Sequence, residues 1–84
     1  MPDERNIVGP QIRRIRDQKN WSQEDFAAAC QRAGWDVSRG VIARIEGCVR
    51  WVADFELLEI ARVLGVSVPE LYPPNKQRYF VKKK

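Results

Sequence analysis

The sequence predicts an all-α fold, a compact five-helix bundle in one domain, and three observations carry that reading. Apolar residues recur at three- and four-residue spacings. Helix-start and helix-stop residues divide the chain, with Ser-x-x-acid boxes at 22–25 and 67–70 and glycines at 34, 47 and 65. No alternating apolar and polar run is long enough to suggest a strand. At 84 residues the chain is near the small end of what buries a core unaided. Residues 1–75 are expected to form the domain and 76–84 a basic C-terminal tail.

The first helix is expected over about 10–19, because Gly9-Pro10 puts a proline in the first turn, where its missing amide hydrogen is not needed. Val8, Ile12 and Ile15 form its apolar stripe, which fades at Lys19-Asn20. Ser22 caps the second helix, Asp25 reaches back to complete the box, and Phe26, Ala27, Cys30 and Ala33 line its inner side as far as Gly34. Ser38 is a second N-cap and opens a third helix from Arg39 to Glu46, which Gly47 ends. So short a helix needs packing to hold it. Asp54 is expected to cap the fourth helix, whose apolar residues Phe55, Leu57, Leu58, Ile60, Ala61, Val63 and Leu64 span an arc wide enough to predict contact on more than one side. Gly65 closes it. The box at 67–70 opens a short fifth helix through Leu71, terminated by Pro73-Pro74, and the tail "NKQRYFVKKK" is expected to be mobile unless something docks on it.

Composition narrows the function. Fifteen Lys and Arg stand against eleven Asp and Glu, a formal net charge of +4 and a pI near 9.4, which biases encounters toward polyanions. Two cysteines, Cys30 and Cys48, cannot make a disulfide framework, and with no histidine a metal site is not expected. Two small thiols in a reducing compartment are the simpler account. The opening "MPDERNIVGP" carries charges with no apolar run behind them, so neither a signal peptide nor a membrane span is expected and the protein is placed in the cytoplasm. For catalysis there is no histidine base, no nucleophile elbow and no phosphate-cradling glycine loop, so no catalytic residue, cofactor or small-molecule substrate is assigned.

The third helix has an odd surface. At about 100° per residue, Val41, Ile42, Ile45 and Glu46 fall on one half of the wheel and Arg39, Gly40, Ala43 and Arg44 on the other. Two arginines thus alternate with the two smallest side chains. A helix entering a DNA major groove needs such a low profile, and arginine forks onto guanine O6 and N7 for about 1–3 kcal/mol of discrimination per pair. A solvated surface helix explains the two arginines equally well, but not a helix-start glycine that costs roughly 0.5–1 kcal/mol relative to alanine.

The run "SQEDFA", then "VSRGVIARIEG", then "ELLEIARVLGVSVPELY" resembles the Cro/C1-type helix-turn-helix proteins, or XRE family, over about residues 6–72. The resemblance implies a lambda-repressor-like five-helix DNA-binding domain, with the second helix across the DNA backbone and the third in the major groove. By position, Arg39, Gly40 and Arg44 would face bases and Gln23 a phosphate. The connection "CQRAGWDVS" is longer than the usual one by about four residues, similar to a subgroup with "AGWD"-like turns, and Trp35 is the natural anchor of that loop.

Glu46 needs a partner on the inner side. Arg16 lies beside Ile12 at the edge of the first helix's stripe and can meet it; Lys19, about one turn on, competes, but the planar guanidinium suits a partly buried carboxylate better. The resembled family has an arginine–glutamate pair at these positions. Ser38 and Arg50 join Gln23 as candidate phosphate contacts, with the amides at the helix starts and in the 47–52 loop.

The expected function is therefore sequence-specific binding of double-stranded DNA by a small transcriptional regulator, expected to repress. A homodimer is expected because two half-sites give useful affinity. The alternative is an antitoxin-like or adaptor module that grips a protein with the same fold.

Overall fold

The structure is a computed structural model and describes residues 4–81. Five α-helices follow in order: α1 Gly9–Gln18, α2 Gln23–Arg32, α3 Arg39–Glu46, α4 Asp54–Leu64 and α5 Pro74–Gln77. Single 3₁₀ turns, Val68–Leu71 and Arg78–Phe80, precede and follow α5, and the described residues contain no strand. The core is one cluster drawn from α1 to α4 and the first 3₁₀ turn. Ile12, Phe26, Cys30, Ile42, Ile45, Ile60, Leu64 and Leu71 are its most deeply buried members. Helices α2 and α3 pack on each other, α1 lies against α3, and α2 also rests on α4.

Local chemistry accounts for most helix starts. The Ser22 hydroxyl accepts from the Asp25 amide at 3.0 Å, and the Ser22 amide donates to the Asp25 carboxylate at 2.9 Å. Ser38 Oγ accepts from the Val41 amide at 3.3 Å and opens α3. For α4 the expected cap is corrected: Ala53, not Asp54, is the N-cap residue. Alanine has no oxygen to offer, so Glu56 supplies the half of the box that remains, accepting from the Ala53 amide at 3.0 Å.

The chain before α1 holds it against the end of α3. Asn6 Oδ1 accepts from the Gly9 amide at 2.8 Å, while Asn6 Nδ2 donates to the carbonyls of Ile45 at 3.1 Å and Arg50 at 2.9 Å. The Ile45 carbonyl, in the last turn of α3, also accepts from the Cys48 amide at 3.0 Å, and Arg50 belongs to the loop that follows. Gly9 makes that approach possible. A methyl group there would collide with the Ile45 carbonyl oxygen and lie 2.9 Å from that of Glu46. Gly47 ends α3 as expected, with φ −83°, and the left-handed residue is the one after it, Cys48, at φ 64°.

The long connection between α2 and α3 is tied down at several points. The Trp35 amide donates to Cys30 O at 2.9 Å, the Gln31 side chain to Val37 O at 2.8 Å, and Arg62 to Ala33 O at 2.9 Å. Val37 is buried and Trp35 packs against the core.

Two expectations change in the C-terminal part. Helix α4 is not enclosed on several sides: Ile60, Ala61 and Leu64 are buried, but Phe55 is 65% and Leu58 62% exposed. The expected fifth helix is a 3₁₀ turn that ends at Leu71, and Pro73-Pro74 beyond its end also opens α5, since proline fits a first helical turn as well as it blocks a continuing one. The tail from Asn75 is accordingly ordered in part. Gln77 donates to Tyr72 O at 3.0 Å, and the Tyr72 and Phe80 rings lie 5.0 Å apart. Helix α5 straddles the boundary expected between 75 and 76, and the expected terminal lysines 82–84 lie outside the described residues.

The Gly9 contact generates a stability prediction. Gly9→Ala is expected to destabilise the fold by about 2–4 kcal/mol, because backbone carbonyls cannot swing aside as a side-chain end can. Urea unfolding measures this, and a midpoint equal to wild type would contradict it.

Candidate nucleic-acid interface

The inner side of α3 carries Ile42, Ile45 and Glu46 into the core, and the outer side presents Arg39, Gly40, Ala43 and Arg44. Arg39 and Arg44 are exposed, and neither has an acidic partner among the described residues. A helical side chain leans toward the helix N-terminus. Accordingly, Arg44 Nη1 lies only 3.6 Å from where a Cβ on Gly40 would stand. A methyl group at 40 would make ordinary van der Waals contact with Arg44, whereas a longer side chain would compete with it for the same space along the helix.

Beneath this face is a polar network built from three helices. Arg16 Nε donates to Glu46 Oε2 at 2.6 Å and Arg16 Nη2 to Glu46 Oε1 at 2.9 Å, a two-pronged contact between side chains only 8% and 3% exposed. Arg16 Nη1 donates to Trp21 O at 2.6 Å and approaches Asp17 at 3.1 Å. Hydrogen bonding to Glu46 outweighs burial and pushes the Arg16 guanidinium above its ordinary range. Lys19, the competing partner, instead stands over the Trp21 ring at 5.1 Å. No buried side-chain nitrogen or oxygen among the described residues lacks a partner.

Gln23 and Arg50, read from the sequence as candidate phosphate contacts, have other partners here. Gln23 Nε2 donates to Glu46 Oε1 at 3.0 Å, and Gln23 Oε1 accepts from Arg39 Nη1 at 3.0 Å. Arg50 Nη1 and Nη2 donate to the two oxygens of Glu56 at 3.0 and 3.1 Å, which balances its charge within the fold. Ser38 is exposed at the start of α3 with its hydroxyl engaged as the cap.

Asn6 and Glu56 escaped the sequence reading. An Asx residue three positions before an unpartnered helix-start amide is a capping signal that could have found Asn6. Glu56 was hidden because the acid at Asp54 looked like the cap. The cysteines offer no nucleophile: burial pushes the Cys30 thiol up to about 11 and raises Cys48 as well. No helix among the described residues is long and apolar enough to cross a membrane.

Comparison with known proteins agrees with this geometry. The model of a helix-turn-helix family, HTH_3, matches residues 12–71. No curated protein sequence matches the chain. Among solved structures, the restriction-modification controller protein C.AhdI from Aeromonas hydrophila is similar at 26% identity and a TM-score of 0.68, over 77% of this chain and 87% of that one. The hypothetical transcription factor NHTF from Neisseria is similar at 26% identity and a TM-score of 0.70, over 96% and 92% of the two chains. The clp gene regulator ClgR from C. glutamicum superposes over the full length of both chains with a TM-score of 0.71, and at 21% identity it speaks to the fold alone.

Acid stability follows from the carboxylates around this surface. Hydrogen bonding to Arg50 holds Glu56 below the usual carboxylate range, and the backbone amides of Ser22 and Ser67 do the same for Asp25 and Glu70. Each takes a proton more readily unfolded than folded. Their stabilisation is thus complete above about pH 4–5 and is lost as the pH falls through the lower folded values. Unfolding midpoints measured in urea against pH should fall on the acid side, and Glu56→Gln should shallow that fall while lowering stability at neutral pH by about 1–2 kcal/mol.

Proposed function

The chain belongs to the helix-turn-helix family, and from that premise we propose that it is a DNA-binding regulator of transcription that reads a specific double-stranded site. It acts by binding, not by catalysis. Helix α3 enters the major groove and α2 lies across the backbone. The observation that carries this reading is the outer face of α3, where Arg39 and Arg44 stand exposed around Gly40 and Ala43 above a buried support. Arg39 and Arg44 contact bases, and Gly40 keeps the approach close. Ser38, with the amides that open α2 and α3, faces phosphates, because helix N-termini attract anions. The Gln23 main chain belongs to that set. Arg50, already paired with Glu56, shapes the loop after α3 and keeps Nε–H and one Nη2–H for a phosphate.

The protein works as a homodimer in the cytoplasm and represses by occupying its site. Two half-sites about one helical turn, ~34 Å, apart let two copies contribute one α3 each. Trp51, Phe55 and Leu58, 70%, 65% and 62% exposed, are apolar residues available to join them. Two similar structures, a restriction-modification controller protein and a hypothetical transcription factor, support the regulatory reading. The same exposed apolar residues favour a second reading, a module that grips a partner protein.

Selection of bound sequences from a random duplex library at near-physiological salt separates the two. Wild type is expected to enrich a two-fold related motif, and Arg44→Ala to relax one guanine preference by about tenfold. No enrichment, or enrichment indifferent to Arg44, would overturn the base-reading assignment and favour the protein-gripping module.

A further inference from the structure

We propose that Glu56 is a positioning residue that aims Arg50 at a DNA phosphate, an inference that rests on the reading of the chain as a duplex-binding regulator and of Arg50 as one of its phosphate contacts. An arginine side chain carries five N–H donors fixed in one plane. Three of those on Arg50 are engaged inside the fold: Nη1 donates to Trp51 O and to Glu56 Oε1, both at 3.0 Å, and Nη2 donates to Glu56 Oε2 at 3.1 Å. Glu56 thus takes the tip of the guanidinium. The two donors left over, Nε–H and the second Nη2–H, lie side by side along one edge of the plane. Such an edge offers two parallel hydrogen bonds to the oxygens of one phosphate.

Both ends of this arrangement are anchored. Glu56 stands in the first turn of α4 with its side chain only 12% exposed, and its Oε1 also accepts from the Ala53 amide at 3.0 Å. The Arg50 main chain is held from the other side, where Asn6 Nδ2 donates to Arg50 O at 2.9 Å. The Arg50 side chain between these fixed points is 31% exposed, so the pair is closed at the carboxylate and open at the guanidinium. An arginine free in a loop loses rotamer freedom when it docks, and here the fold has imposed that order beforehand. Charge alone gives Glu56 the opposite role. A carboxylate beside a phosphate contact repels the duplex, so removing a glutamate that acted only through its charge would strengthen binding. Positioning predicts the reverse sign, and a single substitution separates the two.

The test is a double-mutant cycle. Wild type, Glu56→Gln, Arg50→Ala and the double variant are titrated with random duplex over a range of salt, and each is melted to establish that it is folded. Arg50→Ala is expected to lower the salt slope by about 0.9, the value of one phosphate contact on B-DNA. Glu56→Gln is expected to weaken binding by about three- to tenfold despite the lost negative charge, and to cause no loss once Arg50 is gone. Glu56→Asp keeps the charge but is too short to hold both prongs; it should weaken binding in the same direction, and it replaces the glutamine variant in the cycle if that one is unfolded. Tighter binding by Glu56→Gln, or equal losses with and without Arg50, would overturn the positioning role and leave Arg50 standing as a phosphate contact. A wild-type salt slope in Arg50→Ala would overturn that contact and the positioning with it, while the base reading by α3 rests on its own test. A wild type that binds no duplex would overturn the whole DNA reading.

Discussion

Glu46 puts a carboxylate on the inner side of a short helix, and the charge has to be met where it stands. Arg16 meets it with two hydrogen bonds and turns its remaining nitrogen to the Trp21 carbonyl, so one guanidinium joins α1, the α1–α2 turn and α3. Taking away either partner of such a pair leaves a buried charge uncompensated, at a cost of about 3–5 kcal/mol. An apolar pair of similar volume would hold the helices together as firmly. What it would lack is direction. Rotating α3 by one residue, about 100°, would carry Glu46 out of reach of Arg16 and swing Ile42 and Ile45 from the core. The ion pair and the apolar contacts therefore select the same rotation of α3, and that rotation turns Arg39 and Arg44 outward.

The far end of α3 is held by different means. Its last carbonyls meet the start of α1, where Gly9 has no Cβ to keep the backbones apart and Asn6 donates to Ile45 and Arg50. Eight residues are too few to form a stable helix alone in water. A serine cap at one end, a clamp of backbone and asparagine at the other, and an ion pair on the inner face supply what propensity does not. A helix fixed at both ends and along one side holds its outer face with little internal freedom, as the proposed base reading requires.

Much of this was legible in the residues because its causes are local. Serine caps and acid partners at i+3 announce α2 and the 3₁₀ turn at 68–71, and the period of Ile42, Ile45 and Glu46 identifies the inner face of α3. The Arg16–Glu46 pairing could be inferred because a carboxylate on an apolar stripe demands a cation from a neighbouring stripe. Gln23 and Arg50 were harder, since each is long and polar and has several partners within reach. Tertiary distance decides which one it takes, and helical spacing does not encode that distance. The start of α4 was obscured because Ala53 has no cap oxygen while its neighbour Asp54 does. Pro73-Pro74 was ambiguous in principle, because one ring geometry both stops a helix and starts one.

Helix α4 misled for a more instructive reason. Its apolar arc is wide, yet the fold buries only the side bearing Ile60, Ala61 and Leu64, and leaves Phe55 and Leu58 in the open with Trp51 before them. Phe55 and Leu58 stand one turn apart on α4, and Trp51 lies in the non-helical stretch ahead of it. Burying a large apolar side chain contributes about 1.5–3 kcal/mol, so leaving these three exposed forgoes several kcal/mol in a domain with little to spare. Single exposed apolar residues are ordinary, but three large ones within eight residues are not explained by the packing of one chain. The proposed homodimer supplies the missing surface without altering any contact beneath α3. In that proposed dimer the second contact that the wide apolar arc predicts would lie in another copy of the chain, since the single chain leaves Phe55 and Leu58 uncovered.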